Sequence, residues 1–192
     1  MKRLIAPFLL MGMFLVLSGC DNNPFYPKAE VRLVKVDPEN QSLVVQASVA
    51  YDTTSGRFSL SRVEYEVPQP VAFTFKEMYG GRWADIQHYR IEYVSVTSNY
   101  GDTLDFGPLD GGFNLLVPPG DEATANLYTV SFDVIDHAIR SLLPYFNGLP
   151  DSLVITFQER VHFEGEDEIG NKITWDVPHS TVVYYKWNIT QQ

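Results

Sequence analysis

A single cysteine, Cys20, stands in 192 residues, so no disulfide within the chain contributes to stability and a cystine-stapled scaffold is excluded. Past residue 17 there is no apolar run of the roughly 20 residues a helix needs to cross a bilayer. Basic residues are scarce: fourteen Lys and Arg stand against twenty-four Asp and Glu, a formal charge of −10. A surface of that sign repels nucleic acid and anionic lipid, so neither is an expected partner for it. Signatures of catalysis are missing too. No Gly-x-Ser-x-Gly elbow, Gly-x-x-x-x-Gly-Lys cradle or Gly-x-Gly-x-x-Gly turn occurs, and a non-enzymatic protein is expected.

What is present begins at the N-terminus. Lys2 and Arg3 precede the apolar stretch Ile5–Leu17, and the small residues Ser18 and Gly19 follow, the three parts of a secretory signal. Thirteen helical residues rise only about 20 Å, short of a ~30 Å hydrocarbon core. The stretch Leu17-Ser18-Gly19-Cys20 resembles the lipobox of bacterial lipoproteins. That resemblance implies that residues 1–19 are removed, that the Cys20 thiol takes a diacylglyceryl group, and that the new amine is acylated, with chains of the palmitate kind. Two or more chains, at ~0.8 kcal/mol per buried CH₂, hold a protein stably at a membrane. Asp21 after the acylated cysteine resembles the enterobacterial signal for retention in the inner membrane, facing the periplasm, with the outer membrane as the alternative. Without Lys2 and Arg3 the formal charge becomes −12, so lipid rather than charge is expected to supply membrane attachment.

Residues 20–29 read as a lipidated terminus and tether, because Pro24 and Pro27 oppose helix and sheet. Residues 30–192 carry no second linker and no repeat, and a single domain is expected there. Period-two alternation marks Val31–Val36, Ser42–Tyr51, Phe58–Val67, Val71–Phe75, His88–Thr97, Phe113–Val117, Ala123–Phe132 and Ser152–Phe163 as strands. Asp110-Gly111-Gly112 reads as a turn. Lys172–Val177 and Thr181–Trp187 read as one strand interrupted at Pro178. Ile135, Ala138, Ile139, Leu142 and Leu143 recur at helical spacing, with Asp133 or Asp136 as N-cap and Pro144 as terminator. Ile169-Gly170-Asn171, in an acidic turn between two strands, resembles the last hairpin of bacterial immunoglobulin-like domains, with Glu168 and Ile169 where small residues are usual. The expectation is all-β, an antiparallel β-sandwich of immunoglobulin-like kind with one short helix. A partly open β-barrel is the alternative.

Three groups of residues are candidates for function. Glu164, Glu166, Asp167 and Glu168 crowd beside Gly165 and supply the hard oxygen ligands that Ca²⁺ prefers, although the same residues suit a solvated hairpin tip. The four histidines, His88, His137, His162 and His179, are scattered; His162 would share a strand face with Glu164, and Asp85 sits three residues before His88, so each pair could offer two ligands to a metal, short of a full site. Trp83 in a glycine loop, and Tyr185 and Trp187 in the final strand, are candidate contacts for another envelope protein. A non-enzymatic interaction or structural module on a lipid anchor is the expected function, and a binding module for Ca²⁺ or a saccharide is the alternative.

Overall fold

Alternation of apolar and polar residues becomes strand almost everywhere it occurs. The computed structural model describes residues 28–52, 57–65, 69–79, 81–143 and 151–191. The lipobox, most of the tether, residues 53–56, the last residues of the strand expected to reach Val67, and Pro144 lie outside them. Ten strands are described: β1 (Val31–Asp37), β2 (Asn40–Asp52), β3 (Arg57–Tyr65), β4 (Val71–Glu77), β5 (Ala84–Ser98), β6 (Thr103–Leu104), β7 (Leu109–Val117), β8 (Glu122–Leu127), β9 (Leu153–Asp167) and β10 (Lys172–Gln191). One helix, α1 (Phe132–Leu142), precedes β9.

The strands form two open sheets, not a closed barrel. A small antiparallel sheet has the order β1-β4-β8, and a large one has the order β3-β2-β10-β9-β5-β6, with β7 also on β5. Every pairing is antiparallel except β2 with β10, which run parallel from Asn40↔Ser180 to Tyr51↔Gln191. The turn at 37–40 carries the chain from the small sheet into the large one.

One face of β9 is buried along its whole length, through Leu153, Ile155, Phe157, Glu159, Val161, Phe163, Gly165 and Asp167. Two covers share that face. The small sheet covers the half around Val161 and Phe163, where Phe73 and Phe75 meet Phe163 edge-on with centroids 5.1 Å apart. The helix covers the half around Leu153, Ile155 and Phe157 with Ile135, Ala138, Ile139 and Leu142. Each of these large side chains contributes about 1.5–3 kcal/mol on burial.

Several expectations change for identifiable reasons. The helix is capped by Ser131, whose side chain accepts from Val134 N at 3.3 Å. Asp136 instead pairs with Arg140 at 2.6 Å, one turn on. The strand read as Ala123–Phe132 ends at Leu127 so that Ser131 can start the helix. Pro178 does not interrupt β10: it sits opposite Arg160 on one side, while β2 joins the other side only from Ser180. A proline there leaves no ladder bond unmade. Gly111 and Gly112 lie inside β7 rather than in a turn, and the Tyr89 ring occupies the space that a Cβ on Gly111 would need. Alternation in β5 is broken by register shifts at Ile86/His88 and Tyr93/Ser95. The second shift puts Val96 in the core with Ile91, although strict alternation sets them on opposite faces.

Candidate functional site

The opposite face of the large sheet carries no covering layer among the described residues. Its side chains come from the other parity of the same strands: Gln158, Arg160, His162, Glu164 and Glu166 from β9, Arg90, Glu92 and Val94 from β5, and Asp176, Tyr184 and Lys186 from β10. Charge runs across it as a network. Arg90 pairs with Glu92 at 3.2 Å and with Asp110 of β7 at 3.7 Å, and Arg160 reaches Glu92 at 3.9 Å. His162 bridges Asp176 at 3.0 Å and Glu164 at 3.2 Å. The hydrogen bond to Asp176 raises the His162 pKa, burial opposes it, and the bond to Glu164 adds to the rise. Protonated His162 therefore adds stability that is complete below about pH 6.5 and is lost as pH rises through the raised folded value. A shallow pocket of about 260 Å³ lies among His88, Arg90, Asp110, His162 and Glu164.

A larger cleft, about 850 Å³, opens where β1 passes the edge of this face, lined by Val34, Lys35, Glu39, Val94, Arg160 and Pro178 among others. Among the described residues that line it there is no Phe, Tyr or Trp.

Beneath the cleft, Glu159 and His179 meet on the buried face. His179 Nδ1 lies 2.8 Å from Glu159 Oε2, and both side chains are fully buried. They sit between the two apolar clusters, beside Thr129 and Thr181, whose hydroxyls are 3.3 Å apart. Tyr93 donates to Thr129 O at 3.1 Å. Its pKa is raised by burial and then by the charge of Glu159. Glu159 Oε1 and His179 Nε2 are buried without a hydrogen-bond partner among the described residues.

The acidic turn uses its four carboxylates separately. Glu164 faces His162, Glu166 stands exposed on the uncovered face, and Glu168 lies 3.9 Å from Arg82. Asp167 turns inward. Its oxygens accept from Asn171 N at 2.8 Å, Asn171 Nδ2 at 2.8 Å, Ile169 N at 3.1 Å and Ala29 N at 3.2 Å. Gly170, at φ +82°, closes the turn. Among the described residues no three His, Cys, Asp or Glu are arranged to hold a metal ion.

Burial tends to raise the Asp167 pKa, but the hydrogen bonds from Asn171, Ala29 and Ile169 outweigh it and the value is lowered. A carboxylate of lowered pKa adds stability that is complete above its unfolded value near pH 4 and is lost as pH falls through the folded value. Asp167→Asn is expected to cost about 2–4 kcal/mol at neutral pH, because charged hydrogen bonds are lost. Urea denaturation at pH 7 and pH 3 tests this: the difference from wild type should shrink at the lower pH, and an equal difference at both contradicts the role.

The aromatic candidates part company. Trp83 is exposed just before β5, and its carbonyl accepts from Glu168 N at 3.2 Å. Tyr185 is only 3% exposed, and its hydroxyl donates to Ile135 O of the helix at 2.9 Å, so it belongs to the core. Trp187 is half-buried and stacks on Tyr185. Tyr184 and Lys186, on the other parity, are the exposed residues of that stretch.

Sequence reasoning passed over the network around Arg90, Glu92 and Arg160, and the Glu159–His179 pair. A signal for the pair existed: Glu159 has the parity of Ile155, Phe157 and Val161, and a carboxyl on that face needs a partner. No protein-family model matches the chain, and no curated protein shows detectable similarity to it.

Proposed function

We propose that the chain is a lipid-anchored cell-envelope protein whose folded body is a non-enzymatic interaction module. The observation that carries the anchor is Leu17-Ser18-Gly19-Cys20 at the end of a thirteen-residue apolar stretch, with Cys20 the only thiol. The anchor site is Cys20 and the periplasmic face of the inner membrane is the favoured address, through Asp21. Support for an interaction role comes from the uncovered face of the large sheet. An ordered surface of alternating charge across β5, β9 and β10 suits recognition of a protein of complementary pattern, since charge arrangement fixes register and rejects wrong partners.

Photo-crosslinking side chains placed at Gln158, Asp176 and Lys186 in cells are expected to form adducts with one envelope protein. A probe at Asp133 on the helix surface should form none. Absence of adducts from all three positions contradicts the reading.

A second reading, a small-ligand module, rests on the cleft beside β1. Lys35, Glu39 and Arg160 set beside Val34, Val94 and Pro178 fit a zwitterionic ligand with an aliphatic part.

A further inference from the structure

We infer that the end of the body where the chain enters rests on the surface of the phospholipid bilayer, through a cluster of exposed apolar and aromatic residues. This rests on the lipid-anchor reading and extends it.

Three hydrogen bonds define that end. Ala29 N donates to Asp167 Oδ2, Met78 N donates to Glu30 O at 3.0 Å, and Trp175 Nε1 donates to Val31 O at 3.1 Å. The entering segment is thus fixed to the last residue of β9, the end of β4 and the start of β10. Ala84, at the start of β5, pairs with Asp167 and with Val117, which brings the end of β7 to the same place.

Exposed large apolar residues gather here. Met78 and Tyr79 follow β4, Trp83 precedes β5, Ile169 tips the β9–β10 turn, and Leu116 lies one residue from the end of β7. These are five of eleven such residues among those described. Tyr79 is 75% exposed, and the Trp83 carbonyl is bonded to the residue before Ile169. Trp and Tyr favour the membrane–water interface, where the ring is half apolar and its polar edge stays wet.

Chain length selects the occupant. Eight residues, Cys20–Pro27, reach at most about 29 Å at 3.6 Å each, so a lipid on Cys20 keeps this end, and not the far end around Thr103, next to the headgroups. Charge does not drive the contact. Lys28, Lys76, Arg82 and Lys172 balance Asp121, Glu122, Glu166 and Glu168, with Lys76 on Glu122 at 3.0 Å, so the contact is apolar and interfacial rather than electrostatic.

The test uses the full-length lipidated protein purified from membranes and reconstituted in phosphatidylcholine vesicles. A polarity-sensitive dye is attached at Tyr79→Cys, with Thr103→Cys at the far end as the control. Flotation with the vesicles and a blue shift at position 79 but not at 103 is the expected result, and Trp83→Ser/Ile169→Ser should diminish that shift. Flotation without a shift at 79 overturns the inference and leaves the anchor standing. Failure to float overturns the anchor, and the inference with it. A shift at 79 that needs added envelope proteins, and not lipid alone, assigns this end to a protein partner and overturns the bilayer contact.

Discussion

His179→Leu is expected to destabilise the fold by about 3–5 kcal/mol, because it leaves Glu159 buried without its partner. The environment allows little relief. Both side chains are fully buried, and Glu159 already has one oxygen with no hydrogen-bond partner among the described residues. Glu159→Leu should cost a similar amount by stranding the imidazole. The double variant Glu159→Leu/His179→Leu removes both polar groups at once, so it should come out within about 1–2 kcal/mol of wild type. Chemical denaturation of the four proteins closes the cycle. A double variant as unstable as the sum of the singles would show that the pair acts through something other than mutual satisfaction.

Cys20→Ala is expected to abolish membrane association of the processed chain. With the acyl chains gone, nothing in the acidic body replaces energies of ~0.8 kcal/mol per buried CH₂, and the apolar end is a small surface contact beside that. Among the described residues no helix is long and apolar enough to span. The variant should leave washed membranes for the soluble fraction, or stay as unprocessed precursor held by the uncleaved stretch Ile5–Leu17. Length distinguishes the two, since the precursor keeps nineteen more residues. A processed Cys20→Ala protein that still sediments with membranes through a high-salt and carbonate wash contradicts the lipid anchor.

Legibility differed by element, and the reason is locality. In β2, Leu43, Val45, Ala47 and Val49 are buried as alternation requires, and in the helix Ile135, Ala138, Ile139 and Leu142 form the buried stripe that their spacing predicts. Both patterns depend only on backbone period. Neighbours are another matter: alternation says which face a residue takes and nothing about which strand lies beside it, so the parallel pairing of β2 with β10 left no local trace. In β5 the period itself failed, because two register shifts change the parity of a fifteen-residue strand. Gly111 and Gly112 looked like a turn for want of a signal that the Tyr89 ring lies over one of them.

The candidate sites show the same limit. Five consecutive residues from Glu164 to Glu168 look like one cluster of charge, yet a strand sends its neighbours to opposite faces. Asp167 became the clasp that holds Ala29 and the β9–β10 turn. Tyr185 and Tyr184 were separated by the same parity, one to the core and one to the open face. The charged network on that face joins residues some seventy positions apart, such as Arg160 and Glu92, and only sheet order brings them together.

The central claim is that a lipid on Cys20 holds this body at a membrane, and mass spectrometry of the N-terminal peptide tests it most directly. Protein purified from membranes should yield a peptide that begins at Cys20, heavier than its sequence by a diacylglyceryl group and an acyl chain. An unmodified Cys20, or a chain that still carries residues 1–19, would contradict the account.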